Sequence, residues 1–317
     1  MMPSAGPGFE FLSASSENSP PDLGRPDVAF VGKAVDKRGA SAIALVSDAA
    51  KQTGTVSFEP EKQRLLIDNQ EVSPIRIAKD LVGSNRIVLE ATTLGLGEIL
   101  MLLRALEAAS ITQVDFLYAE PEGYTKKPPL SQSDSAQDSY ELTTNRNFCG
   151  INGFNHQLDS QSDATHIFFL GFEADRVKNA LAHREDALSE KYRLLPIVGI
   201  PAFRTGWESK SIKPHLNLFE SHGITQSRIH YCAADSVREA FLTLWDIFEP
   251  LNTTPQQQVF VSPLGTKPHT IATALFLIDT KKAHAPVSLF YDHPVRMNKR
   301  SFGETLWHHI QVQRSGS

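Results

Sequence analysis

The chain has 317 residues, 41% apolar and 21% charged, with a formal net charge of -5 and two cysteines. That length suits about two domains, and the acid excess argues against a surface that coats nucleic acid in bulk while leaving room for a local basic pocket. Cys149 and Cys232 show neither a CxxC pair nor metal-ligand spacing, so reduced thiols, a cytoplasmic setting and no metal site are expected; no apolar run approaches the roughly 18–20 residues of a membrane span.

Residues 1–26 are rich in Pro, Ser and Gly and lack the basic and apolar segments of a signal peptide. They read as a disordered tail. In "DVAFVGKAVDKRG" an apolar strand ends at Gly32, and Asp36 follows four residues later. Residues 54–72 alternate with period two about a polar centre, the signal of an antiparallel hairpin at a sheet edge. "IVLEATTLGLGE" passes from strand to a helix over 97–109, with Thr92 and Thr93 in the loop. "VDFLY" is a further strand ending at Tyr118, so 27–124 forms a first domain. Residues 125–147 are polar, carry Pro-Pro and have no apolar period; they read as a linker or mobile loop.

The second domain, 148–317, repeats the alternation. "HIFFLG" ends at Gly171 and is followed by Asp175 and Arg176 at a helix start. Arg176 and His183 share a face of that helix, with the spacing of HEPN ribonuclease pairs, but a segment opening directly from a strand does not suit that helical fold. "PIVGIPAFRTGWESK" gathers Phe203, Arg204 and Trp207 in a loop after a strand; Arg and Trp can stack on a base or hold a phosphate. "QVFVSPLGTKPHT" runs from strand to helix through Gly265, Thr266, Lys267, Pro268 and His269. A helix N-terminus favours an anion, and here glycine admits close approach, a hydroxyl can donate and lysine supplies full charge. The structural alternative is a capped helix with Thr266 as N-cap. After "VSLFY", Tyr291 and Asp292 stand at another strand end; His293 is next to Asp292, but adjacent residues of extended chain point apart and make a poor dyad. His308-His309 read as solvated.

The two halves share an order: apolar strand, Gly, Asp, helix, strand, aromatic and a closing basic pair, Lys126-Lys127 and Lys299-Arg300. The expected fold is α/β, two Rossmann-like three-layer halves arising by internal duplication, with the hairpin added to the first. Ligands of such sheets collect at the carboxyl ends of strands. The ligand-binding candidates are therefore Gly171, Phe172, Glu173, Arg176, Arg204, Trp207, Gly265, Thr266, Lys267, His269, Tyr291 and Asp292. Gly32, Asp36, Thr92 and Thr93 are their counterparts in the first half.

"SPLGTKPHTIATALF" resembles the G-T-K-(P/x)-M signature of the CARF family, Rossmann-like sensor domains of CRISPR-associated defence that bind cyclic oligoadenylates. The resemblance implies that residues 171–176 and 265–269 face a ligand. His269 departs from the family's usual apolar residue, the first half has no Lys in its equivalent loop, and no nuclease domain follows. The expected ligand is an anionic small molecule, a nucleotide or cyclic oligonucleotide, bound by a sensor or regulatory subunit that acts with a protein partner or as a homodimer. Two alternatives stay open: a nucleotide hydrolase or transferase using Glu173, Asp175 and His269, and a structural adaptor. No cofactor is expected.

Overall fold

The all-apolar runs of the sequence become strands buried on both faces, and they sort into two sheets. The computed structural model describes residues 6–126, 140–144, 148–155, 162–182, 191–254 and 257–315. Contacts divide it into a first unit, residues 8–125 with 296–317, and a second unit containing 126–295.

The first unit opens with β1 (Phe9–Glu17), β2 (Val28–Val31), α1 (Lys37–Ala49), β3 (Gln52–Glu59), β4 (Arg64–Ile67) and β5 (Gln70–Glu71). It continues through α2 (Pro74–Asp80), β6 (Ile87–Glu90), α3 (Leu96–Ala108), β7 (Gln113–Ala119) and β8 (Gly123–Tyr124). Helix starts follow local chemistry. Asp36 accepts from Gly39 N at 2.8 Å to cap α1, and Ser73 caps α2 ahead of Pro74. Such caps satisfy backbone donors that have no partner inside the helix.

The second unit comprises β9 (Thr143–Thr144), β10 (Asp163–Phe169), α4 (Ala174–Ala182), β11 (Tyr192–Gly199), α5 (Trp207–Ile212), α6 (Leu216–Ser221) and β12 (His230–Cys232). Then come α7 (Val237–Asn252), β13 (Gln257–Pro263), α8 (Lys267–Lys282), β14 (Val287–Leu289) and β15 (Val295–Arg296), where the chain leaves the unit. Helix α8 is buried nearly all round, from Pro268 to Thr280, and Phe276 meets Trp245 and Phe248 of α7 edge-on at 5.4 and 5.6 Å. A helix buried on every side is a core element. The last strands, β16 (Ser301–Phe302) and β17 (Trp307–Arg314), belong to the first unit.

The first sheet runs β1-β17-β7-β6-β2-β3-β4-β5. Its centre, β7-β6-β2-β3, is parallel. The expected hairpin is present as β3 against antiparallel β4. The second sheet runs β12-β11-β10-β13-β14, parallel throughout. The first strand of this sheet, β10, therefore lies between its second and fourth, β11 and β13. The chain leaves β10 towards one edge and later returns to the other side, which opens a crevice at the carboxyl ends of β10 and β13.

Three expectations need correction. Residues 9–17, placed in a disordered tail, form β1 and pair with β17 from Phe9↔Arg314 to Glu17↔Trp307. An edge strand with mostly exposed side chains has the composition of a tail, and its order comes from backbone hydrogen bonding. The second domain does not run to 317, because β17 joins the first sheet beside β7. His308-His309 are accordingly not solvated: His308 is 2% exposed, lies 3.1 Å from Glu120 and stacks on Tyr118.

Candidate functional site

At the crevice of the second unit two loop backbones touch. A Cβ on Gly171 would fall 2.3 Å from the Leu264 carbonyl oxygen. One on Gly265 would lie 2.6 Å from His269 Nδ1 and 3.2 Å from the Leu170 carbonyl oxygen. Glycine at both positions lets the ends of β10 and β13 close on each other, directly before the N-terminus of α8.

Thr266 is the N-cap of α8, and its hydroxyl donates to the Ala234 carbonyl at 2.6 Å. His269 faces inward. It is fully buried, stacks on Phe169 at 4.6 Å, and its Nδ1 accepts from Thr266 N at 3.3 Å. That bond places the ring proton on Nε2, 3.3 Å from the Ala233 carbonyl. Burial pulls the His269 pKa down to about 4. His269 is therefore a neutral core residue that braces the loop, and the expectation of a ligand contact or acid/base group there is corrected. The adjacent Cys232 thiol is pushed up to about 12 by burial. Lys267, the first residue of α8, is half-buried.

Four more candidates are consumed by the fold. Arg176 donates to Asp292 through Nε at 2.7 Å and through its second terminal nitrogen at 2.6 Å. Asp292 is fully buried. Burial opposes the charge on Arg176, but the field and hydrogen bonds of Asp292 outweigh it and leave its pKa raised. This bidentate pair ties the start of α4 to the segment that follows β14. Tyr291, 9% exposed, lies under the same guanidinium. His293 donates to or accepts nothing from Asp292; its Nε2 sits 3.1 Å from the Cys149 carbonyl. Glu173, 8% exposed, accepts from Leu142 N at 2.9 Å and from Thr143 N and Oγ1 at 3.2 and 3.1 Å. Residues 140–144 of the expected linker are thus packed; residues 127–139 and 145–147 lie outside the described residues, as does His183. Asp175 is exposed and, among the described residues, pairs with Lys178 on its own helix, at 3.6 Å.

What remains at the mouth is aromatic and cationic. Phe172 meets Tyr140 at 5.0 Å and Trp207 at 5.6 Å. Arg204 lies 5.6 Å from the Trp207 ring centre, and Lys210 lies 5.3 Å from it and 5.8 Å from that of Tyr140. Trp207 is half-buried. The sequence reading missed Tyr140, which sits in a polar stretch, and Lys210, whose spacing of three from Trp207 on a helix was a readable signal.

In the first unit the matching junction is closed by its own side chains. Gly32 N donates to Thr93 Oγ1 at 2.8 Å, and a Cβ on Gly32 would lie 2.4 Å from the Thr93 carbonyl oxygen. Thr92 Oγ1 accepts from Ala119 N at 2.9 Å. Glu90, fully buried, accepts from Thr92 N, Thr93 N and the Thr93 hydroxyl. Burial raises its pKa, against the opposing pull of those hydrogen bonds. Asp36 caps α1 and accepts from Ser301 Oγ. These four candidates are therefore structural.

Among the described residues no group of three His, Cys, Asp or Glu can hold a metal, and no helix is long and apolar enough to cross a membrane. Compared with known proteins, the chain matches no family model and no curated protein sequence.

Proposed function

We propose that the second unit is a Rossmann-like sensor module that binds a nucleotide or cyclic oligonucleotide at the mouth of the β10–β13 crevice. The observation that carries the reading is the coincidence of three features there: backbone closure at Gly171 and Gly265, a lysine at the first position of α8, and the Phe172–Trp207 pair flanked by Arg204 and Lys210. Lys267 and the helix end supply charge for a phosphate. The aromatic pair offers a stacking surface for a base. The CARF-like character of the 265–269 loop supports the cyclic oligoadenylates among such ligands, and with them a role in cytoplasmic antiviral defence, read out by a protein partner or a second copy. In the same reading the first unit is a duplicate whose crevice has filled. An enzymatic reading loses two of its three named groups, since Glu173 and His269 are committed to the fold and Asp175 alone stays exposed.

The test is calorimetric titration of the full chain with mononucleotides and cyclic oligoadenylates. Lys267→Ala and Trp207→Ala should each weaken binding about tenfold to a hundredfold, the worth of one charge-assisted contact or one stacked base. Absence of binding by every nucleotide, or unchanged affinity in both variants, rejects the reading.

A further inference from the structure

In the first unit three arginines converge at the carboxyl ends of the parallel strands, and among the described residues the one carboxylate within ion-pair distance of them is Asp36, 3.8 Å from Arg38. Arg296 reaches back across the 92–94 loop: its terminal nitrogens donate to the carbonyls of Thr92, Thr93 and Leu94 at 3.1, 2.6 and 2.6 Å. Arg38, 4% exposed, donates to the Ala119 carbonyl at the end of β7 and lies over the Tyr118 ring. Its Nε is enclosed without a partner. Arg300 is carried to the same place by the backbone bonds from Lys299 N to Val35 O and from Thr125 N to Arg300 O, 2.7 and 2.9 Å. Among the described residues nothing accepts a hydrogen bond from its guanidinium, and its Nε too is enclosed.

The available acids do not balance this group. Asp36, 3.8 Å from Arg38, is shared with Gly39 N and Ser301 Oγ. Glu120 faces His308 Nε2 and Thr305 Oγ1, each at 3.1 Å. Glu90 is turned into its own loop. Burial, and after it the like charge of Arg296, pushes the Arg300 guanidinium down to about 10; Tyr124 and Asp36 oppose this, while Arg38 adds to it. Enclosed guanidinium donors without acceptors are costly unless an anion meets them, and Arg is the side chain suited to holding oxyanions through several donors.

We propose that Arg38, Arg296 and Arg300 form a binding site for a phosphoryl oxyanion in the first unit. Arg300 makes the principal contact. Arg296, already fixed by three carbonyls, presents its remaining donors without loss of side-chain freedom. Arg38 supplies charge from beneath. The site is independent of the nucleotide reading of the second unit, and it draws two of its three cations from residues 296–300, remote in sequence from the loops they serve.

The experiment titrates inorganic phosphate and, separately, adenosine monophosphate into the full chain at constant ionic strength, followed by thermal shift and by phosphorus NMR. Wild type should bind at least one of them. Arg300→Gln should weaken that binding about tenfold to a hundredfold, with Arg300→Lys intermediate as the variant that keeps the charge if the Gln form folds poorly. In a Lys267→Ala background, which weakens the nucleotide site proposed for the second unit, the Arg300-dependent part of this binding should persist. Response to both probes assigns the site to free phosphate as well as to phosphate esters; response to the nucleotide alone assigns it to esters. No Arg300-dependent binding of either probe, with the variant folded, overturns the proposal.

Discussion

The two units each close one parallel strand in the same way and then diverge. Gly32 ends β2 and Gly171 ends β10, and each lies against a carbonyl of the loop that leaves the neighbouring parallel strand, Thr93 or Leu264. In the second unit that loop continues as Gly265, Thr266 and Lys267, so the cation arrives with the loop itself. In the first unit the loop is Thr92, Thr93 and Leu94, and its cation comes from Arg296, 203 residues beyond Thr93. One backbone solution thus accommodates two ways of delivering positive charge. The local way is visible as a motif, whereas the remote way is visible only once the chain has folded.

The largest expected effect separates the units by how the ends of their strands are braced. Asp292→Ala should leave Arg176 buried without its partner and destabilise the second unit by about 3–5 kcal/mol. Chemical denaturation should show that loss, and Arg176→Met with Asp292→Leu should recover much of it. A change under 1 kcal/mol in the single variant would mean that water reaches the pair.

Between pH 7 and pH 5, above the range in which the lowered carboxylates Asp27, Glu59 and Asp115 of the first unit titrate, acid should also divide the units. His269 and His215 are each drawn down from 6.5 to about 4 by burial. Between those values the unfolded chain binds protons that the folded unit refuses, so stability falls as pH drops through this window. At 1.36 kcal/mol per pKa unit the loss approaches about 3 kcal/mol per histidine. Glu90 of the first unit works the other way. Its folded pKa lies above 4.5, so its contribution is fully present below that value and is lost as pH rises through the raised one. Pulse proteolysis at pH 7 and pH 5 should therefore release fragments of the second unit preferentially at pH 5. Equal sensitivity of the two units would break the contrast.

How much of this was legible in the sequence follows from distance along the chain. The buried strands, the β3–β4 hairpin and the Gly-Thr-Lys junction announce themselves over a few residues. Strand β1 does not, because an edge strand exposes most of its side chains, and neither does the return of β17, whose partner β7 lies almost 200 residues earlier. The candidate site was over-read for a related reason. Glu173, Asp292 and His269 are polar residues at strand ends, where a ligand would be expected, but each had a partner that spacing could not reveal: Thr143, Arg176 and the Ala233 carbonyl.

The shared glycines give a smaller and more even effect. Neither Gly32 nor Gly171 has a positive φ, so alanine is excluded by contact and not by backbone conformation. A methyl group 2.4 or 2.3 Å from a carbonyl oxygen must push the loops apart. Gly32→Ala and Gly171→Ala should each cost about 1–3 kcal/mol, the range for overpacking. Similar losses in melting experiments would support a common closure. A neutral Gly171→Ala would show that the 264–266 loop yields, and would make the second crevice the more adaptable one.

The smallest effect tests what each cap is for. Asp36 and Thr266 both stand at the start of a helix after a strand, and loss of such a cap costs about 1 kcal/mol. Asp36→Ala should show that cost in stability. Thr266→Val should show it with an addition, because the hydroxyl also donates to the Ala234 carbonyl, which then loses a partner. The hydroxyl is committed to the Ala234 carbonyl, so Thr266→Val should leave nucleotide affinity within about twofold, at a cost far below the 1.4 kcal/mol of a tenfold change. Lys267→Ala should do the reverse, sparing the melting temperature and weakening binding. If Thr266→Val weakened binding as much as Lys267→Ala did, the hydroxyl would have to leave Ala234 for the ligand. The junction would then be a switch between cap and contact, and the difference between the two units would lie in that exchange as well as in the source of their charge.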